Sequence, residues 1–319
     1  MVTSHLFNST FNNSDFKIVA NELKFGKGYF VFEEALTDQT VSAINSAAPI
    51  ENLLVNSNNL GYVRAHWAKY LSHTLALSKE CYDVVTSENI RSVCRNFFDN
   101  PYKISNQRIY ETHTKSHLPW HTDNNLQTGN KYKGKHNLPG LMFLFYLSDV
   151  SETNPFQLIP DSHKWSEENN ERFFTETFIE QNHGDNIVTV KAAKGTLILC
   201  NSHLIHRAEP FNKPGFSRLT YLFQVDEMSD EHLGHGERVL INPSFIDDTN
   251  PEILAFLGFG SRADYPAFPE TSVATMLPDD MFALQKGILP KAFRGLMISL
   301  AKNIIPGAII NNFRKRIRS

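Results

Sequence analysis

Cysteine is scarce in this chain of 319 residues, which has three cysteines and no CxxC pair. Isolated cysteines predict neither a zinc cluster nor a disulfide framework, so we expect a protein of a reducing compartment. No run approaches the roughly 18 apolar residues that a membrane-spanning helix requires. The N-terminus also lacks a basic start followed by an apolar stretch, which predicts no secretory signal. These features together predict a cytoplasmic protein.

Charge of one sign is not in excess either, because 34 acidic and 31 basic side chains leave a formal net charge of −3. This balance argues against nucleic acid as a partner, since such proteins usually present a strongly basic surface. Glycine-rich phosphate loops and internal repeats are missing from the sequence, which argues against a nucleotide-binding sheet and a repeat array. A hydrophobic share of 41% nevertheless supplies ample core material.

The pattern of apolar residues predicts how the chain is organised. Residues 1–100 are predicted to be mostly helical and to pack on the core, with helices at about 41–54 and 67–98 and a break near Ser87. Residues 101–228 contain short apolar or alternating runs between Gly, Pro, Asn and Asp, a pattern typical of strands. We therefore predict one integrated catalytic domain, mainly β with flanking helices and a jelly-roll core.

Residues 229–319 are predicted to be a C-terminal extension, which has eight basic and no acidic side chains after Asp280. Between Pro290 and Pro306, apolar residues recur at helical spacing, which predicts an amphipathic helix. The simpler hypothesis is that this helix docks on its own domain or on a partner subunit, which leaves oligomerisation open. The alternative is a peripheral contact with an anionic membrane, because the surrounding charge is basic.

A candidate metal site begins in the sequence PWHTDNN, where one residue separates His121 from Asp123. On a strand these two side chains point to the same face, although a solvated loop pair commonly gives the same pattern. His203 and His206 follow the apolar run GTLILCN, and Arg218 opens the next apolar run. Two imidazoles and one carboxylate form the ligand set of many non-haem iron enzymes. A nearby arginine is suited to hold a carboxylate of a 2-oxo acid.

Three segments in this order resemble the phytanoyl-CoA dioxygenase family of Fe(II)- and 2-oxoglutarate-dependent oxygenases: the HxD pair, GLMFLFYLSDVSETNPFQLIPDSHKW and GTLILCNSHLIHRAEPFNKPGFSR. The resemblance covers roughly residues 100–226 and implies a double-stranded β-helix. It also implies three iron ligands and one anchor for 2-oxoglutarate, which are His121, Asp123, His206 and Arg218. The family has an asparagine-glycine turn and a PGSH box where this chain has Asn154-Pro155 and PDSH, which affects the turn shape rather than the ligands.

His206 is preferred to His203 as the distal ligand because family members place the arginine about a dozen residues after it. Arg218 follows His206 by twelve residues, and two strand positions three apart face opposite sides. Gln107 and Tyr110, on the strand before the HxD pair, are candidate contacts for 2-oxoglutarate. Core packing or surface exposure is the favoured alternative for both.

Other polar groups are given structural interpretations. Asp161, Ser162 and His163 are consecutive and cannot form a catalytic relay, so we predict a turn. The spacing of His113 and His117 is attributed to chance, and Trp120 is predicted to pack beside the site.

The resemblance implies a reaction in which a small-molecule or lipid-like substrate is hydroxylated by O2 while 2-oxoglutarate is converted into succinate and CO2. Asp123 favours hydroxylation, desaturation or ring formation over halogenation, because relatives that halogenate have a small residue there. Two alternatives remain. One is a jelly-roll protein that binds a small molecule without turnover, and the other is a zinc- or manganese-dependent hydrolase or isomerase on the same barrel.

Overall fold

The structure is a computed structural model. It describes residues 5–47, 62–64, 68–71, 74–112, 119–123, 139–152, 154–165, 173–210, 217–228, 239–246, 249–260, 290 and 293–297. The chain divides into two compact units, Met1–Ala274 and Thr275–Ser319. The first unit contains two antiparallel sheets with flanking helices, which confirms the predicted fold class. In the second unit, residues 293–297 are helical.

Among the described residues, the longest strands lie in one sheet, and the strands of the other sheet have only two or three residues each. In chain order they are β1 (Tyr29–Phe32), β2 (Tyr62–Arg64), β3 (Ala68–Leu71), β4 (Tyr102–Thr112), β5 (Trp120–His121), β6 (Gly140–Tyr146), β7 (Phe156–Leu158), β8 (Phe173–Phe174), β9 (Val188–Val190), β10 (Leu197–Asn201), β11 (His206–Ala208) and β12 (Arg218–Glu227). A seven-stranded major sheet has the order β1-β10-β6-β12-β4-β3-β2, and a five-stranded minor sheet has the order β8-β5-β11-β7-β9. This arrangement is the expected double-stranded β-helix.

Helices flank the sheets in the first unit, and several of them follow a polar residue whose side chain caps the first turn. They are α1 (Ser9–Asn12), α2 (Phe16–Lys24), α3 (Asp38–Ala47), α4 (Thr74–Leu77), α5 (Lys79–Thr86), α6 (Glu88–Phe97), α7 (Glu176–His183) and α8 (Pro251–Phe256). The Asp15 carboxylate accepts from the Lys17 N–H at 2.9 Å, and the Ser87 hydroxyl accepts from the Ile90 N–H at 3.4 Å. Such caps satisfy N–H groups that the first helical turn leaves free.

The central strands β6 and β10 of the major sheet are buried on both faces, and their side chains alternate between the two faces. On β6, Phe143 and Phe145 point to the main hydrophobic core, which they share with buried residues of the flanking helices. The intervening Leu144 and Tyr146 point to the opposite face, toward the minor sheet. Burial on both faces explains why β6 is apolar throughout rather than alternating with polar residues.

The two helices predicted at about 41–54 and 67–98 are confirmed only in part. The predicted break at Ser87 is confirmed, because Ser87 ends α5 and caps α6. The prediction of a helix from residue 67 was wrong for residues 68–71, which form strand β3 and pair with β4. Pairing with the long edge of β4 outweighs the local helical spacing there. Helix α3 confirms the first prediction up to residue 47, and residues 48–54 lie outside the described residues.

Among the helices that the structure describes, none has the length and apolar character to cross a bilayer.

Candidate metal centre

Two short strands of the minor sheet bring the predicted ligands together. His121 on β5 lies directly opposite His206 on β11 in the antiparallel register, so both imidazoles point into the barrel. Their ring centroids are 4.3 Å apart. Asp123 follows β5, where its backbone N–H donates to the Ser202 carbonyl at 3.1 Å. This contact ties the third ligand to the turn before β11.

The three side chains form one buried cluster. The Asp123 carboxylate oxygens lie 3.5 Å from His121 Nε2 and 3.7 Å from His206 Nε2. One donor atom from each residue lies within 4.8 Å of the other two. Relative exposure is only 3% for His121, 4% for Asp123 and 3% for His206, so water does not screen the cluster. The atoms are close enough for one ion to bind all three.

Backbone carbonyls orient both imidazoles. His121 Nδ1 donates to the Pro119 carbonyl at 2.7 Å, and His206 Nδ1 donates to the Leu204 carbonyl at 2.9 Å. A carbonyl oxygen can only accept, so each Nδ1 carries a proton, and in the neutral form of either ring Nε2 then presents its lone pair. Metal-binding histidines commonly have this second hydrogen bond, which selects the tautomer and the ring angle.

Electrostatics favour the protonation states that a metal requires. Burial alone would raise the pKa of Asp123, but the adjacent His206 and His121 outweigh it, and the pKa lies well below its ordinary value. Burial, followed by the neighbouring His121, lowers the pKa of His206 to about 4. At neutral pH the cluster therefore has an ionised carboxylate, and His206 is neutral. This donor set fits a divalent ion such as Fe(II).

Arg218, the predicted anchor, lies at the start of β12 with 1% of its surface exposed. One terminal nitrogen donates to the Asn154 carbonyl at 2.7 Å. The guanidinium carbon lies 5.8 Å from the centre of the Tyr110 ring and 5.9 Å from that of Tyr146. A buried guanidinium between two aromatic rings is a fixed cation at the inner wall of the barrel.

Two threonine hydroxyls accompany this cation. Thr112 pairs with Arg218 across β4 and β12, and Thr220 lies two residues further along β12 on the same face. Within the described part of the chain, Arg218 Nε and both hydroxyls are buried without a hydrogen-bond partner. Buried polar groups are rarely left unsatisfied in native proteins. A carboxylate would accept from all three, so these residues fit the distal carboxylate of 2-oxoglutarate.

Sequence reasoning missed Thr112, Thr220 and Tyr146. The Tyr146 hydroxyl donates to the Val190 carbonyl at 2.9 Å and accepts from the Phe156 N–H at 2.8 Å, which joins the two sheets beside Arg218. A signal for Thr220 was present, because a residue two positions after the arginine on a strand shares its face. Tyr146 was hidden inside an apolar run.

The two predicted cofactor contacts on β4 lie on opposite faces. Tyr110 is beside Arg218 and pairs with Thr220, inside the barrel. Gln107 pairs with Phe223, a member of the main hydrophobic core, and its amide oxygen accepts from the Thr74 N–H at 3.0 Å. Tyr110 remains a candidate contact, whereas the position of Gln107 argues for the structural alternative.

The other side chains named in the sequence analysis lie outside the three-residue cluster wherever the structure describes them. His203 lies in the turn before β11, where its N–H donates to the Asn201 side chain at 3.0 Å, outside the three-residue cluster. Residues 161–164 form the predicted turn, with Asp161 in the left-handed region at φ 65°. Trp120 is fully buried beside the site, as predicted. His113 and His117 lie outside the described residues.

The fold and this site define a class, the non-haem iron proteins built on a double-stranded β-helix. The sequence model of the phytanoyl-CoA dioxygenase (PhyH) family matches residues 26–219. Because the match covers more than half of the chain, the chain belongs to the phytanoyl-CoA dioxygenase family. It is thus a 2-oxoglutarate-dependent non-haem iron enzyme. The match begins at residue 26, well before residue 100, where the resemblance described in the sequence analysis begins. No protein of curated function matches the sequence.

Solved structures share the fold at low sequence identity. The carbocyclase SnoK from nogalamycin biosynthesis is 16% identical at a TM-score of 0.53, over 68% of this chain and 85% of SnoK. The epimerase SnoN from the same biosynthesis is 16% identical at a TM-score of 0.53, over 80% of this chain and 93% of SnoN. HygX from Streptomyces hygroscopicus, with nickel, 2-oxoglutarate and hygromycin B bound, is 17% identical at a TM-score of 0.49, over 67% of this chain and 88% of HygX.

Proposed function

We propose that this enzyme hydroxylates a small-molecule substrate, using Fe(II), 2-oxoglutarate and O2. One observation carries the proposal. The buried cluster of His121, Asp123 and His206 lies in the same barrel as the buried Arg218. A metal site alone would suit several reactions, but a metal site with a separate carboxylate anchor suits a 2-oxo acid.

When bound, iron and 2-oxoglutarate supply the oxidising chemistry, in which one oxygen atom of O2 enters the substrate, the other enters succinate, and CO2 is released. The residues of the chain would bind and orient these two groups. His121 and His206 would present Nε2 to the ion, and the Asp123 carboxylate would partly neutralise its charge. Arg218 and its threonine neighbours would hold the distal carboxylate of 2-oxoglutarate. The buried walls of the barrel exclude water from these charged groups.

Hydroxylation is proposed over halogenation because the carboxylate of Asp123 occupies a ligand position that a halide would need. Ring closure and epimerisation are the reactions named for SnoK and SnoN. Their likeness to this chain concerns the fold, so these reactions are outcomes that a product analysis has to distinguish.

The test is a turnover assay with the full-length protein, Fe(II), 2-oxoglutarate and a panel of small molecules. Succinate formation identifies substrates, and mass spectrometry after reaction in 18O2 measures oxygen incorporation. The proposal predicts products with one added 18O atom, and no such product from Asp123→Ala. A coupled product without added oxygen would replace hydroxylation by ring closure, desaturation or epimerisation.

Two other functions use the same barrel. A binding protein without turnover would bind neither Fe(II) nor 2-oxoglutarate, and Arg218 with its threonine pair argues against it. A zinc- or manganese-dependent hydrolase or isomerase would be active without 2-oxoglutarate. Activity that is independent of 2-oxoglutarate would therefore favour the second alternative.

Membrane contact by the C-terminal segment stays a prediction, as do oligomerisation and a cytoplasmic location. Membrane contact is supported by the basic charge after Asp280 and by the exposed apolar side chains of Phe293, Leu296 and Met297 in the second unit. Flotation of the full-length protein with acidic liposomes tests it. Binding at low salt that is lost at high salt is expected, and no binding would remove the lipid hypothesis.

The division into an N-terminal segment, a core and an extension also remains a proposal. Support for one integrated catalytic domain comes from β1, which pairs with β10 in the major sheet although it lies within residues 1–100. Limited proteolysis tests this division. Cleavage near residue 100 that releases a stable core would contradict integration.

A further inference from the structure

A row of side chains crosses the outer face of the minor sheet, behind the metal ligands. His206 and His121 point inward, so their neighbours Arg207 and Trp120 point outward. The Arg207 guanidinium carbon lies 4.2 Å from the centre of the Trp120 ring. Arg207 Nε donates to the Gln157 amide oxygen at 2.8 Å, and the Gln157 amide donates to the Thr189 hydroxyl at 3.1 Å. We call Trp120, Arg207, Gln157 and Thr189 the outer ladder.

The outer ladder joins four adjacent strands, because its members lie on β5, β11, β7 and β9. Arg207 is its central member, with 9% of its surface exposed. Its guanidinium also forms an ion pair with Glu176, the first residue of α7. A planar guanidinium can stack on an indole and donate in its own plane at once, which a lysine ammonium cannot do.

Backbone pairing holds β5 firmly on one side only. Both of its residues pair with β8, whereas within the described part of the chain it pairs with β11 at one position, where His121 faces His206. One pair and the Asp123–Ser202 hydrogen bond fix little of the separation between β5 and β11, so side chains across these two strands contribute to it. The residue next to His121 is Trp120, on which Arg207 stacks.

We propose that Arg207 is a positioning residue for the iron ligands. It holds β5 against β11 from the outer face and so keeps His121 opposite His206 at the separation that one ion needs. The inference rests on the proposed function, because it assigns a role toward the metal. Arg207 touches neither metal nor substrate in this account and acts through Trp120 and through its own strand.

The test uses Co(II) alone as a probe of the metal-free full-length protein, with dissociation constants from titration and ligand geometry from the visible absorption bands. Arg207→Leu removes the stack and the ion pair, whereas Arg207→Lys keeps only the charge. Arg91→Leu is the matched control. Arg91 is also buried, donates through Nε to the Thr86 carbonyl at 3.0 Å and pairs with Glu252, but it lies on α6, in the helical layer.

We expect Arg207→Leu to raise the Co(II) dissociation constant about tenfold, at the lower end of the range for residues that support metal ligands. The visible bands should change as well, at a temperature where thermal unfolding shows the variant to be folded. Arg207→Lys should also weaken Co(II) binding, and this variant decides the matter if the leucine variant does not fold. Arg91→Leu should lower the unfolding temperature and leave Co(II) affinity and bands unchanged.

Wild-type Co(II) affinity and bands in either folded Arg207 variant would overturn the proposal and leave Arg207 with a stabilising role only. Equal weakening by Arg91→Leu would overturn it too, because the effect would then follow stability rather than position. Failure of the wild-type protein to bind Co(II) is a different result. It would contradict the proposed function itself.

Discussion

The two sheets of the barrel are held together in different ways. The major sheet contains strands of 11 and 10 residues, β4 and β12, which pair along their whole length. The minor sheet contains strands of two or three residues, such as β5 and β11. The helix-facing side of the major sheet contributes to a large apolar core, while the outer face of the minor sheet has a small cluster around Trp120 and a polar ladder.

Because of this difference, we expect the major sheet to contribute mainly to folding stability and the minor sheet mainly to metal binding. Long ladders and a large core stabilise the fold, and the proposed iron ligands lie on or directly after short strands whose geometry depends on individual side-chain contacts. Arg218 lies on the major sheet, so the proposed 2-oxoglutarate anchor is carried by the sheet with the more extensive pairing. Changes in the two sheets should therefore have different effects on folding, on metal binding and on 2-oxoglutarate binding.

The largest effect is expected from Asp123→Ala in the minor sheet. Removing a ligand should lower iron affinity by more than about 100-fold, because loss of a supporting residue alone costs roughly 10–100-fold. Succinate formation should fall to background while circular dichroism shows an intact fold. Wild-type oxidation by this variant would contradict the assignment of the ligands.

The second largest effect is expected from a substitution in the core of the major sheet. Phe223 is fully buried, and its ring stacks on that of Phe143 at 4.6 Å. Phe223→Ala should reduce the free energy of unfolding by about 3–5 kcal/mol, measured by urea denaturation, because it leaves a cavity in the core. Iron affinity of the folded variant should stay close to that of the wild type. A strong loss of iron affinity without a loss of stability would contradict the different roles assigned to the two sheets.

Arg218→Ala should weaken the binding of 2-oxoglutarate and leave the binding of iron largely unchanged. Hydrogen bonds to charged groups contribute about 1.5–3 kcal/mol, so the dissociation constant for 2-oxoglutarate should rise roughly 10- to 150-fold. Calorimetric titration of 2-oxoglutarate into the metal-loaded protein measures it, and a separate metal titration is the control. Unchanged 2-oxoglutarate affinity would remove Arg218 as the anchor.

Thr220→Val should have the smallest effect. The change preserves the side-chain shape and removes one neutral hydroxyl, which donates a single hydrogen bond to the charged carboxylate and contributes about 1.5 kcal/mol, the lower end of the range for such bonds. The 2-oxoglutarate dissociation constant should rise roughly 10-fold in the same titration. An improvement in affinity would show that the Thr220 hydroxyl does not face the carboxylate.

Part of this arrangement follows from the sequence alone. The long strands β4, β6 and β12 are visible as apolar or alternating runs, since their burial pattern is local information. The order of the HxD pair, His206 and Arg218 was enough to predict the cluster that the structure shows. The strand signals depend on residues that are near one another in the chain, whereas the ligand order depends on the resemblance to a known family.

Other features depend on distant segments and were not predictable in the same way. Residues 68–71 have helical spacing, but they pair with β4 as a strand. Gln107 and Tyr110 are three residues apart on one strand, so alternation alone places them on opposite faces, but only the register with β12 shows that Tyr110 is the one beside Arg218. The contact of Arg207 with Trp120 joins residues far apart in the chain, for which no periodic pattern exists.

The central claim is that His121, Asp123 and His206 bind iron in a site that also takes 2-oxoglutarate. The most direct measurement is an anaerobic titration of the metal-free protein with Fe(II) and 2-oxoglutarate, followed by visible absorption. The account predicts a metal-to-ligand charge-transfer band that needs both additions and is lost in Asp123→Ala. If the wild-type protein shows no band, or if the variant keeps it, the three residues are not the iron site.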